Sequence, residues 1–442
     1  MKIKNLNPKP YFQSKNTLKL LLANPEGVIY EHPRFDAAVW DGQNWLIPGA
    51  GTLIPLPPGS KLFTLPERLP VGYDPETGDF IPISEFNDGE YEFQPWAVSA
   101  FLPPAYMRLL LPAYMRMTDA ACLPQWAYAA VAGGENGIYA AALRVDQSGK
   151  WEPAEFDDSD LIAKIEEFLS ADSDNRLLRH IAHCATHYHC FAAKNLFLKR
   201  WEAPLPVARK CNASCLGCLS LQTGETPCSH QRISFTPAPE EIAQVAVNHL
   251  KYADEPMVSF GQGCEGEPLT EWKLVCESIK MIRAQTNRGT IHLNTNGSIP
   301  EAVPHLAKAG LNSVRISLNS ARKINYYKYF RPDGYAFDDV IRFIEISKTN
   351  GLFVHINLLV FPGVNDSEAE IDAFSSLVGN TEVDLVQLKN LNIDPDFYLE
   401  AMQIEKPALG MMKMVDVLRG RIPELRFGYF NLQKEEFSPP AR

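Results

Sequence analysis

A chain of 442 residues, 45% hydrophobic and 21% charged, is of ordinary globular composition with room for two or three domains. A formal charge of −11 with no Lys/Arg block argues against a nucleic-acid backbone as the main partner. No apolar run approaches the ~18 residues of a membrane span, and no signal-type apolar segment follows Met1-Lys2-Ile3-Lys4. The nine cysteines, an odd number, point to reduced thiols and metal ligation in the cytoplasm rather than to a disulfide framework.

Residues 1–195 are rich in proline turns, such as Pro55-Leu56-Pro57-Pro58-Gly59 and Val71-Gly72-Tyr73-Asp74-Pro75. Trp126 to Val131 and Ile138 to Val145 flank Gly133-Gly134-Glu135-Asn136-Gly137, which predicts a β-hairpin. Leu161 to Leu169 and Arg176 to His189 have helical spacing. This part reads as an N-terminal mixed α+β domain. A local duplication, Tyr106-Met107-Arg108 and Tyr114-Met115-Arg116, reads as an amphipathic packing segment; a lid carrying two arginines is the functional reading.

From residue 196 to 435 strands and helices alternate. Short aliphatic runs at Leu205–Ala208, Met257–Phe260, Thr290–Leu293, Ser313–Leu318, Phe353–Val360 and Leu385–Leu388 are predicted strands. Helices are predicted over Pro239–Leu250, Glu271–Arg283, Ile299–Ala309, Ala336–Lys348, Glu368–Val378 and Leu409–Leu418. Such alternation means βα units and a parallel sheet; six units fit an α/β fold of partial TIM type, a (β/α)6 barrel. Residues 436–442 are left as a tail.

Three cysteines, Cys211, Cys215 and Cys218, stand at C-x3-C-x2-C spacing just after the first of these runs. Three thiolates so close suit one soft metal centre. A [4Fe–4S] cube normally takes four cysteines, so three leave one iron open to a small molecule. A structural zinc site completed by His230 or Cys228 is the alternative.

The cysteine spacing resembles the radical S-adenosylmethionine (SAM) superfamily, as do later segments in order. Gly261-Gln262-Gly263-Cys264-Glu265-Gly266-Glu267-Pro268 is similar to its Gly-Gly-Glu-Pro element, with Glu265 in the first glycine's place. His292 to Gly297, Val314 to Ser320, Leu358 to Asp366 and Val386 to Asn390 resemble the ends of successive barrel strands. The resemblance covers about residues 200–430. It implies a [4Fe–4S] cluster on Cys211, Cys215 and Cys218, and S-adenosyl-L-methionine as second cofactor. It implies reductive cleavage of SAM to a 5′-deoxyadenosyl radical that abstracts hydrogen from a small-molecule or peptide substrate. An electron donor such as ferredoxin or flavodoxin would then be a partner.

The same resemblance assigns residues to SAM. Gly263, Glu265, Gly266 and Glu267 would line the methionyl amino group. Asn294, Arg315, Ser317 and Asn319 would meet the ribose and carboxylate, and the last three alternate, so they share a strand face. Val360 to Gly363 and Leu388 would form the adenine pocket, with Gly217 offering a backbone contact. No catalytic side chain is assigned. Alternatives are radical methylation, for which Cys264 is the residue to test, and a non-catalytic iron–sulfur or zinc scaffold that binds a partner protein. His180, His183, Cys184 and His187 share a helical face and are candidates for a second metal.

Overall fold

The computed structural model describes all residues except 1–17, 50, 151, 153–155, 222–227, 405–406 and 439–442, so Met1-Lys2-Ile3-Lys4 and the end of the tail lie outside the described residues. Its contacts divide the chain into two compact units that interleave along the sequence. One comprises Met1–Pro153, Val360–Ala373 and Leu388–Pro423; the other comprises Ala154–Leu359, Phe374–Gln387 and Glu424–Arg442.

The first unit is built on an antiparallel sheet. Its main path runs Tyr106–Arg108, Gly137–Arg144, Val131–Gly134, Lys19–Ala23, Ile29–Ala37, Arg68–Tyr73, Tyr114–Arg116. The predicted hairpin forms around Gly134↔Gly137, with Gly137 at φ 113°, a value that favours glycine. Its first arm begins only at Val131. Ala130 O still accepts from Ala141 N, but Ala130 N donates to Leu110 O and Ala129 pairs with Ala100, which takes the Trp126–Ala129 stretch out of the hairpin. The side chains of Leu21, Ile29, Val98, Leu102, Val131 and Ala140 build the core beneath this sheet. The two copies of the Tyr-Met-Arg repeat join different neighbours: Tyr106–Arg108 pairs with Ala142–Arg144, and Tyr114–Arg116 with Arg68–Pro70.

Two arginines lie deep in this unit. Arg68 Nη2 reaches Asp394 Oδ2 at 3.2 Å, and both side chains are 1% exposed. Arg68 also donates to the carbonyls of Pro66 and Ala121, while Asp394 accepts from Leu123 N and, as N-cap of the helix Pro395–Met402, from Phe397 N. Arg108 is fully buried, its guanidinium 4.5 Å from the Phe361 ring centroid and, among the described residues, with no hydrogen-bond partner at any of its three nitrogens. Burial lowers its pKa to about 9.

The second unit carries a seven-stranded sheet in strict sequence order: Glu202–Pro204, Met257–Phe260, Thr290–Thr295, Ser313–Leu318, Phe353–Val360, Leu385–Asn390, Arg426–Gly428. The registered pairs run parallel, for example Val258↔Ile291, Leu293↔Val314 and Ile316↔Ile356. Strands buried on both faces explain the near-continuous aliphatic runs. The helices Pro239–Tyr252, Trp272–Arg283, Val303–Ala309 and Phe337–Thr349 fall where spacing places them. Two short helices, Lys323–Phe330 and Pro395–Met402, and the strand Arg426–Gly428 were not legible. Leu205–Ala208 is a correction: the strand is Glu202–Pro204, and only Leu205 N extends its ladder, donating to Ser259 O. Among the described residues no helix is long and apolar enough to cross a membrane.

Candidate functional site

The cysteine loop is fastened by its backbone. Ser214 N and Leu216 N donate to the carbonyls of Phe330 and Tyr329 at the end of the helix Lys323–Phe330, and Asp333 N donates to Asn212 O. Cys211, Cys215 and Cys218 are thiols rather than disulfides, each partly shielded. Burial, then the negative charge of Glu267, pushes Cys211 up to about 11. Burial, then the two neighbouring thiols, also pushes Cys215 well up. Burial also acts against the Cys218 thiolate, but the Ser220 backbone N–H and the Arg232 guanidinium outweigh it and leave its pKa lowered. Arg232 Nη2 donates to Cys218 Sγ at 3.5 Å.

The second loop backs directly onto the first. Gly266 N donates to Ala208 O at 2.6 Å and Glu267 N to Lys210 O at 2.9 Å. A Cβ on Gly266 would stand 1.9 Å from Lys210 O, so only glycine fits. The Glu267 carboxylate is buried and accepts from Leu269 N, Thr295 Oγ1 and Asn296 N. Burial raises it to about 7. Three bonds leave it roughly one of its four acceptor positions. Glu265, also buried, accepts from Val207 N, Ala208 N and Gly261 N, and burial raises it to about 8. Its carboxylate takes the N–H groups that a neighbouring strand would have taken, which is why Leu205–Ala208 does not continue as a strand.

The strand-end residues form two groups. Asn296 Nδ2 donates to Asn212 Oδ1 at 2.8 Å, tying the third strand to the cysteine loop; Asn294 Nδ2 donates to Phe260 O. Arg315 Nη1 donates to Gln387 Oε1 at 3.1 Å, and Asn431 Nδ2 and Gln262 Nε2 donate to Glu202 Oε1. Arg315 Nε is shielded without a partner. Ser317 Oγ accepts from Asn357 Nδ2, and Asn319 Nδ2 donates to Asn325 O. Gly217 is buried in a turn between Cys215 and Cys218, and Gly263 is exposed. Val360 is buried and belongs to the other compact unit, as does Leu388.

Arg232, Asn212, Thr295, Glu202, Gln387 and Asn431 escaped the sequence reading. Asn212 and Gln387 lay inside quoted motifs, but an amide has no signature of its own; Arg232 and Asn431 lie in segments without a pattern.

Three reduced thiols on one rigid loop suit a thiophilic iron centre. Two of them are held protonated by burial and by negative neighbours, a penalty that cationic irons remove. The donor set therefore fits a [4Fe–4S] cluster. Fold and site together define an enzyme built on a parallel βα sheet with a three-cysteine iron–sulfur loop.

Residues 205–374 match the family described as the Radical SAM superfamily. That segment is a radical SAM domain, and the cofactors of such a domain are a [4Fe–4S] cluster and S-adenosylmethionine. Among curated relatives, the chain is 27% identical over 180 residues to "FeMo cofactor biosynthesis protein NifB" of Klebsiella pneumoniae, covering 37% of this chain and 38% of that one. It is 35% identical over 104 residues to "GTP 3',8-cyclase" of Helicobacter pylori strain J99, covering 23% of this chain and 32% of that one. The chain thus spans between 32% and 38% of the length of these two relatives. Among solved structures it is similar to "Native anSMEcpe with bound AdoMet" (17% identity, TM-score 0.36, 43% of this chain and 52% of that one). It is also similar to a radical SAM methyltransferase from Sphaerobacter thermophilus (14% identity, TM-score 0.38, 52% and 66%).

Proposed function

We propose that the chain cleaves S-adenosylmethionine reductively and uses the resulting 5′-deoxyadenosyl radical to abstract hydrogen from a small-molecule or peptide substrate. The parallel sheet serves as a partial TIM-type (β/α)6 barrel. In functional terms residues 196–435 are its catalytic domain and 1–195 an added domain. The cluster and SAM, when bound, supply the one-electron chemistry; the protein holds and orients them.

The observation that carries this reading is the pairing of the two loops. Gly266 and Glu267 are tied to Ala208 and Lys210 by two backbone bonds, so the SAM-type loop and the cysteine loop act as one piece. Cys211, Cys215 and Cys218 are the proposed iron ligands. Glu267 keeps one acceptor position for an ammonium group, and the Gly263 and Gly266 backbone allows its close approach. Arg315, with an unused Nε and a polar surround of Gln387, Asn431 and Glu202, is the proposed carboxylate contact. Asn294, Ser317, Asn319 and Gly217 remain proposed neighbours of the nucleoside. Glu265 acts on that loop from behind, by holding Gly261, Val207 and Ala208. A ferredoxin- or flavodoxin-type donor and a cytoplasmic setting complete the proposal.

The test is anaerobic reconstitution with iron, sulfide, dithionite and SAM, followed by chromatography for 5′-deoxyadenosine. Product should form in the wild type and vanish when Cys211, Cys215 and Cys218 are replaced together by Ala. Equal product from both proteins, or none from a wild type that carries the cluster, refutes it.

A further inference from the structure

Apart from the cysteine loop, the second unit gathers a further set of soft ligands. On the helix Arg176–His187, His180 and Cys184 are four residues apart and therefore neighbours on one face. His180 Nε2 lies 3.6 Å from Cys184 Sγ. Cys264, from the loop Gly261–Glu267, joins them: the ligand atoms of His180, Cys184 and Cys264 all lie within 4.8 Å of one another. Cys184 is 2% and Cys264 7% exposed. His183 and His187, on the same helical face, stack on each other instead, with ring centroids 4.0 Å apart.

His230 stands beside the same loop. A Cβ on Gly263, next to Cys264, would stand 2.9 Å from His230 Nε2. That nitrogen is buried and, among the described residues, has no hydrogen-bond partner. A shielded imidazole nitrogen without a partner is costly unless something binds it.

The backbone holds these donors in place before any ion arrives. Asn175 caps the helix by accepting from Leu178 N, and its Nδ2 donates to Glu241 O. Arg176 pairs with Glu241. Ile233 N donates to Cys264 O, and Ser229 N to Leu219 O. Two thiols and two imidazoles are a tetrahedral zinc set. Bonds of ~2.3 Å to sulfur and ~2.05 Å to nitrogen give an S···N edge of ~3.6 Å, which matches the His180–Cys184 distance.

We infer that His180, Cys184, Cys264 and His230 form a structural zinc site, separate from the cluster ligands. It clamps the helix Arg176–His187 to the loop Gly261–Glu267. Both cysteines bind as thiolates, and each releases its proton to solvent when the ion enters. The site therefore fixes from behind the loop whose Gly266 and Glu267 face the cysteine motif.

The test uses two proteins: the wild type carrying its iron–sulfur cluster, and the Cys211→Ala/Cys215→Ala/Cys218→Ala variant that cannot. Elemental analysis should find about one zinc per chain in both. Anaerobic Co²⁺ titration of the triple variant should give the intense visible bands of a tetrahedral ion and near-ultraviolet thiolate charge transfer. Adding Cys184→Ser and Cys264→Ser should abolish both signals. His230→Ala, which leaves the helix face intact, should weaken Co²⁺ by about tenfold or more. Zinc retained without Cys184 and Cys264 overturns the inference. So does a Co²⁺ spectrum that is weak and lacks charge transfer in the triple variant. A metal-free wild type with Cys184 and Cys264 joined as a disulfide, read by non-reducing peptide mass spectrometry, overturns it as well.

Discussion

Replacing Gly266 by Ala should cost the protein its cluster while leaving all three cysteines in place. The added methyl would stand 1.9 Å from Lys210 O and 2.4 Å from Lys210 C. Both are backbone atoms, so no rotamer can relieve the clash, and ordinary contact needs a shift of about 1.5 Å. That shift breaks the Gly266–Ala208 and Glu267–Lys210 backbone bonds. Two bonds at about 0.5–1.5 kcal/mol each and about 1–3 kcal/mol of overpacking give about 2–6 kcal/mol. Against a usual stability of about 5–15 kcal/mol the chain should still fold. The damage falls on position. A displacement of about 1 Å beside a reacting group can cost about a hundredfold in rate. After anaerobic reconstitution the variant should hold less than about half the wild-type iron and form 5′-deoxyadenosine at least about a hundredfold more slowly. Urea denaturation should confirm folding. A folded Gly266→Ala protein with full iron and wild-type turnover would show that the two loops do not act as one piece.

Asp394→Ala should destabilise by about 4–6 kcal/mol, from a stranded Arg68 charge at about 3–5 and a lost N-cap at about 1. Arg68→Met in the same chain should recover most of that in urea titrations, and failure to recover would refute the pairing argument. Arg108→Met should raise the melting temperature, since an unpartnered buried guanidinium is replaced by an apolar chain of similar length; a lower value would mean that the charge has a partner the fold supplies. Burial lifts Asp366 from the ordinary 3.8 to about 7, so folding favours its neutral form. That contribution is complete below pH 3.8 and is lost as pH rises through about 7. Relative to Asp366→Asn, the wild type should therefore lose stability between about pH 4 and about pH 7, and parallel pH curves would refute it.

The βα alternation was legible because strands covered on both faces carry apolar residues at no less than every second position, and Met257–Phe260, Ser313–Leu318 and Phe353–Val360 form where such runs lie. The cysteine loop was legible because its chemistry depends on spacing along the chain. Leu205–Ala208 misled, since its apolar content is that of a strand while its N–H groups go to a carboxylate 57 and 58 residues away. The N-terminal sheet was illegible for a related reason. Its neighbours are far apart in sequence, as with Lys19 opposite Gly133, and periodicity sets which face is buried, not which strand lies beside which. His180 and Cys184 could be paired by helical spacing, but Cys264 is brought to them only by the fold.

The interleaved division of the chain bears on its birth at the ribosome. The first 153 residues belong with segments that begin at residue 360. At about 5–20 residues per second the nascent sheet waits roughly 10–40 s for them. Arg68 waits longer, because Asp394 lies 326 residues downstream. Until then the strands made first have exposed edges and an unneutralised arginine bound for the interior. Such a chain should depend on holdase chaperones during synthesis. A strain depleted of them should accumulate insoluble nascent fragments that end before about residue 394, while full-length protein, once released, stays soluble.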